Sequence, residues 1–203
     1  MLERTPRVLK AVSAFPELRG SVQPGRAGVL VCERNPQLAT MIVYKRRRPD
    51  VSARLETGYG LALPDGPRRV ANGELAVVGL GPRTWLFQRE AGRPLAAELS
   101  ETIGDAAAVT DQSDGYAVLS LTGPRAVALL GKGVSLDLHD RVFVPGSAAV
   151  TSFAHLGVML WRIENENGYP AYEIAVFRSL ARSLWHFIQE SAAEFGLAVM
   201  ADR

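Results

Sequence analysis

The 203-residue sequence predicts an α+β protein made of two similar halves, each a mostly antiparallel sheet with helices on one face. Three observations predict this. Short β-branched and apolar runs of strand length alternate with stretches of helical periodicity. Glycine and proline punctuate those runs at nearly every junction. The order of elements is almost the same in the two halves. Hydrophobic residues at 47% and charged residues at 22% describe a chain with a core to bury, which excludes intrinsic disorder.

Residues 1–27 carry Pro6, Pro16, Pro24, Gly20 and Gly25 with little periodicity, and are expected to form an extended arm that orders by lying on something else. Val29–Cys32 reads as a strand. The first half, residues 28–112, continues with a strand at Leu38–Tyr44. Pro49, suited to the first helical position, opens a helix in which Val51 and Leu55 share a face and which Gly58 and Gly60 end. Strands at Glu74–Leu80 and Thr84–Gln88 follow across the Gly79–Pro82 turn. A second helix begins at Arg93-Pro94, with Leu95, Leu99 and Ile103 on one face, and stops at Gly104. Ala107–Asp111 closes the set. The order β-α-β-β-α-β is ferredoxin-like.

The second half, residues 113–203, starts with a strand at Tyr116–Leu121 and turns at Gly123-Pro124 into a short helix bearing Val127 and Leu130. A loop through Leu136–His139 leads to strands at Ala148–Ala154, Gly157–Ile163 and Ala171–Phe177. Ser179 is placed to cap a last helix whose Leu180, Leu184, Phe187, Ile188 and Phe195 form an apolar stripe ending at Gly196. The two halves, both taken as ferredoxin-like βαββαβ-type units, are expected to pack as one compact unit.

The net charge of +2 conceals an asymmetry. Up to Arg48 the basic residues outnumber the acidic ones by seven, and beyond it the acidic ones lead by five. The densest basic run is Lys45-Arg46-Arg47-Arg48. No aromatic residues are interleaved with it, so it does not read as a nucleic-acid footprint. It reads as a solvated strand end or as a contact for an acidic protein surface. Tryptophan and arginine are enriched at interface hot spots, which adds Trp85 and Trp185 to Lys45, Arg46, Arg47 and Arg48 as candidates for a partner interface. Core burial competes with that role for both indoles.

A catalytic reading finds little to assemble. His139, His155 and His186 have no metal-binding spacing, and the single Cys32 permits neither an intrachain disulfide nor a cysteine zinc cluster. Gly131-Lys132-Gly133 lacks the upstream glycine and the hydroxyl residue of a P-loop. Gly79-Leu80-Gly81 lacks the third glycine and the helix of a dinucleotide fingerprint. Glu164 and Glu166 fall in a polar run typical of a hairpin tip. No catalytic, cofactor-binding or metal-ligating residue is assigned. No stretch approaches the ~18 apolar residues of a membrane span, and a cytoplasmic location is expected.

The second half also carries a resemblance. Leu121-Thr-Gly-Pro-Arg-Ala126, Leu129-Leu-Gly-Lys-Gly133, Leu136-Asp-Leu-His139 and Phe143-Val-Pro-Gly146 resemble the gamma subunit of heterotetrameric sarcosine oxidase. Tyr172-Glu-Ile-Ala-Val176, Arg178-Ser179, Leu184-Trp185 and Ala192-Ala-Glu-Phe-Gly196 agree. The resemblance is dense from Val118 to Gly196 and weaker but collinear over Gly28–Asp111. More distantly, Tyr116–Leu130 and Gly168–Glu173 resemble the folate-binding aminomethyltransferase fold of the glycine cleavage T-protein. The chain departs from that family where Pro170-Ala171 replaces the Thr-Gly-Glu sequence.

This resemblance implies an aminomethyltransferase-like fold and a non-catalytic gamma subunit that helps hold a sarcosine oxidase complex together. Such a complex converts sarcosine to glycine and hydrogen peroxide and passes the one-carbon unit to tetrahydrofolate. FAD, FMN, NAD, tetrahydrofolate and zinc are then expected in the other subunits. The alpha subunit is the expected direct partner, with beta and delta subunits completing the assembly. The alternative implied by the fold is an independent folate-binding or aminomethyltransferase-like protein.

Overall fold

The computed structural model describes residues 12–16, 18 and 27–200. Two antiparallel-dominated sheets pack face to face, and each carries helices on its outer side. One sheet contains β2 (Gln37–Val43), β3 (Arg69–Asn72), β4 (Leu75–Gly81), β5 (Thr84–Arg89) and β6 (Ala107–Asp111), in the order β3-β4-β5-β2-β6. The other contains β1 (Val29–Arg34), β7 (Tyr116–Thr122), β8 (Ala148–Phe153), β9 (Leu156–Glu166), β10 (Tyr169–Phe177) and β11 (Leu197–Met200), in the order β11-β1-β7-β10-β9-β8.

Strand alternation explains the layering. In β2, Ala39, Met41 and Val43 turn toward the helices, whereas Leu38 turns toward the second sheet. Helices α1 (Arg48–Tyr59) and α2 (Leu95–Ile103) bury Val51, Leu55, Leu95, Leu99 and Ile103 against that outer face. Pro49 lies in the first turn of α1, and Gly60 ends the helix with φ 58°, a left-handed cap that glycine adopts without strain. On the second sheet, Leu119, Leu121, Ile174 and Val176 face outward and pack with Leu184, Trp185 and Ile188 of α4 (Ala181–Ala192) and with Leu129 and Leu130 of α3 (Ala126–Leu130). Between the sheets lies a third cluster in which Leu38, Val78 and Leu86 meet Val118, Met159, Trp161 and Ala175.

The expected element order is present, with additions. Strand β3 was not anticipated. It pairs antiparallel with β4 at the edge of the first sheet, outside the ferredoxin-like order β4-β5-β2-β6. Strand β1 belongs to the sheet of the second half, pairing antiparallel with β7 and parallel with β11. The anticipated Ser179 cap is not formed: a 3-10 turn over Arg178–Leu180 precedes α4, Leu180 occupies the cap position, and no side chain bonds there. The described part of the N-terminal arm lies on the second sheet's core. Phe15 and Leu18 are buried in it, and Glu33 accepts bonds from Ser13 Oγ at 2.5 Å and Ala14 N at 2.8 Å. The rest of that arm lies outside the described residues.

Candidate partner-docking surface

The run Lys45–Arg48 forms the turn from β2 into α1. Arg46 sits there with φ 66°. Arg47 is engaged at the surface: it bonds Asp50 at 2.7 Å and Asp105 at 3.1 Å. The Asp105 carboxylate, and after it Asp50, raises the Arg47 guanidinium above its ordinary value, and Arg47 in turn lowers Asp105. Arg48 pairs with Asp65, and its guanidinium lies 5.7 Å from the centre of the Trp85 ring. Among the described residues, no ion pair engages Lys45 or Arg46. The four-residue charge run therefore divides into two structural arginines and two outward cations.

Trp85 is 4% exposed and donates from Nε1 to the Pro64 carbonyl at 3.2 Å. It forms the floor of a cleft of about 580 Å3 that Arg48, Asp65, Leu80, Arg83 and Val150 also line. Trp185 is 1% exposed and belongs to the core beneath the opposite helical layer. The structure thus brings Arg48 and Trp85 together and leaves Trp185 on the far side of the sandwich. Neither indole offers a broad exposed face.

Several of the residues considered for chemistry, and their neighbours, make contacts within the fold. Lys132 caps the α3–α4 junction, bonding the Ser191 carbonyl at 2.7 Å, pairing with Glu194 and lying 4.5 Å above the Phe195 ring. Asp140 accepts a bond from the buried Arg162 at 2.8 Å, and the same guanidinium nitrogen reaches the Phe143 carbonyl at 2.7 Å. Arg162 thereby pins the long loop before β8, a role that its place in an apolar strand did not announce. His139 accepts a backbone bond from Arg141, and His186 stands 3.2 Å from Glu190 on the exposed side of α4. Among the described residues, no group of three histidine, cysteine or acidic side chains is arranged to hold a metal ion. No helix among them is long and apolar enough to cross a membrane.

A family model described as the sarcosine oxidase gamma subunit family matches residues 46–194. The chain belongs to this family. Within it, the sarcosine oxidase subunit gamma of Corynebacterium sp. strain P-1 is 34% identical over 146 residues, covering 70% of each chain. The corresponding subunit of Arthrobacter sp. is 36% identical over 120 residues, covering 58% of this chain and 59% of that one. Among solved structures, a chain of the heterotetrameric sarcosine oxidase of Corynebacterium sp. U-96, in complex with pyrrole 2-carboxylate, matches with a TM-score of 0.78. Its identity is 26%, and the match covers 91% of this chain and 96% of that one. An aminomethyltransferase of Saccharopolyspora erythraea is 31% identical over 127 residues, 61% of this chain but only 34% of the enzyme. The fold expected of a gamma subunit is the fold observed.

Proposed function

We propose that this chain is the gamma subunit of a sarcosine oxidase assembly, docking on the alpha subunit and contributing to assembly and stability without chemistry of its own. The observation that carries this reading is the match, over nearly the whole of both chains, to a component of a heterotetrameric sarcosine oxidase. The flavins, nicotinamide cofactor, zinc and tetrahydrofolate would then be held by the other subunits. In support, the space between the two sheets is packed by Trp161, Leu38, Leu86 and Val118. The Lys45–Arg48 turn, with the cleft at Trp85, is the surface we assign to the partner; Trp185, buried on α4 at the far side of the sandwich, stands apart from it.

The test is co-expression with a tagged alpha subunit and its beta and delta companions. The chain should co-purify in a flavin-containing complex, and omitting it should lower the yield or thermal stability of that complex. A chain that stays separate while the remaining subunits assemble with full activity and unchanged stability overturns the reading. The aminomethyltransferase similarity supplies the competing arm: calorimetric titration of the isolated chain with tetrahydrofolate, where tight binding would favour an independent folate-binding role.

A further inference from the structure

Strand alternation defines which side chains face the opposing sheet, and at one end of the sandwich those side chains are not covered. Ile42 shares the inward face of β2 with Leu38, yet Ile42 is 47% exposed and Leu38 1%. Val150 shares the inward face of β8 with Ala148 but is 59% exposed against 6%. Ile42 pairs with Thr84 and Thr84 with Gly81, so Ile42 stands at the same end of its sheet as Leu80, beside a mouth between the two sheets. Leu80 and Val150, from opposite sheets, line the same cleft, and Val150 is in register with Met159 and through it with Ala175.

The rim of this mouth is basic. The turn carrying Lys45 and Arg46 and the β4–β5 turn carrying Arg83 are tied together: Val43 N donates to the Arg83 carbonyl at 2.9 Å, and the Arg83 guanidinium donates to the Val43 carbonyl at 3.3 Å. Among the described residues, Lys45, Arg46 and Arg83 form no ion pair. Arg46 and Arg83 both occupy the left-handed region, with φ 66° and 62°. That conformation costs a side-chain-bearing residue about 1 kcal/mol relative to glycine. A cation has been placed at both turn tips where the backbone favours glycine or asparagine. The one acidic side chain in the adjoining cleft, Asp65, is already paired with Arg48.

We propose that this mouth receives a segment of another subunit of the oxidase assembly, one presenting apolar side chains between aspartate or glutamate residues. The apolar part inserts between the sheets against Ile42, Leu80 and Val150. The acidic flanks meet Lys45, Arg46 and Arg83. An uncovered apolar core position with a charged rim is the usual anatomy of a protein interface. The complementary charge speeds encounter and fixes register. This inference rests on the gamma-subunit reading above and assigns its docking surface.

The test uses the assembled complex. The double variant Ile42→Asp/Val150→Asp and the triple variant Lys45→Glu/Arg46→Glu/Arg83→Glu are co-expressed with the tagged partner subunits, with Arg182→Glu on α4 as a remote control. All variants are first checked for a native circular dichroism spectrum and melting transition, since the altered side chains are solvent-exposed. The expected result is at least a tenfold loss of affinity for the double variant. For the triple variant, weakened association and a flattened salt dependence are expected, while Arg182→Glu binds as wild type. Folded variants that bind like wild type overturn the inference and leave the gamma-subunit reading intact. Failure of the wild-type chain to co-purify overturns that reading first. If the isolated wild-type chain self-associates and the double variant abolishes only that, a second copy occupies the mouth and the partner assignment falls.

Discussion

Gln88 Nε2 donates to Glu173 Oε2 across the gap between the two sheets at 3.1 Å, and Trp161 Nε1 donates to the same oxygen at 2.6 Å. Both Gln88 and Glu173 are 4% exposed, so one carboxylate oxygen satisfies two buried donors from different sheets. Its acceptance from Nε2 also fixes the orientation of the Gln88 amide, because the reverse would set two oxygens against each other. Glu173→Ala removes the shared acceptor and leaves two buried N–H groups unpaired. We expect a loss of about 2–3 kcal/mol in urea unfolding, with Glu173→Gln losing less because an amide oxygen can still accept.

Gly79 allows the loop over Pro64–Pro67 to lie directly on β4. A Cβ at this position would stand 2.0 Å from the Gly66 carbonyl oxygen, a backbone atom without freedom to retreat. Gly79→Ala is expected to cost about 2–3 kcal/mol and to displace the Pro64 carbonyl from the Trp85 indole. A lowered melting temperature with a red-shifted tryptophan emission would report both effects.

Arg89 and Glu98 form a two-pronged ion pair at 3.0 and 3.1 Å, with side chains only 12% and 20% exposed. Hydrogen bonding from Arg89 holds Glu98 below the ordinary value of 4.5. A carboxylate with a lowered folded value stabilises the protein above its unfolded value, and that contribution disappears as pH falls through the folded one. The wild type should therefore exceed Glu98→Gln by about 1 kcal/mol at pH 7. The difference should shrink below pH 4.5, which melts of both proteins across the acid range would measure.

Strand β11 pairs in parallel with β1 over Val29–Cys32, the residues that carry buried Val29 and Val31. Ending the chain after Gly196 uncovers that edge. The expected consequence is a loss of about 2 kcal/mol, the worth of burying one large aliphatic side chain, and a rise in aggregation seen by light scattering.

Face alternation and glycine punctuation were enough to locate α1, α2 and most strands to within one or two residues, because those signals are local. Pairing is not local. Val29–Arg34 reads as a strand from its own residues, but nothing in it says that it joins the sheet built 90 residues later. Strand β3, with three of its four residues exposed, has no inward face to betray it. The candidate surface shows the same division. Lys45–Arg48 stands out as a charge run, yet its partition into paired Arg47 and Arg48 and outward Lys45 and Arg46 depends on Asp65 and Asp105, which fold back from a distance. Arg83, Ile42 and Val150 join that surface through pairings between strands far apart in the chain, which no local pattern encodes.

The parallel pair of β1 and β11 sets an order of events during synthesis. Every strand of the five-stranded sheet lies between Gln37 and Asp111, so that sheet can form while the rest of the chain is still being translated. The six-stranded sheet cannot complete until Leu197 has emerged to meet Val29. The cleft between Leu80 of β4 and Val150 of β8 lies at the opposite edge from β11, so that surface can be in place before the last strand closes the sheet.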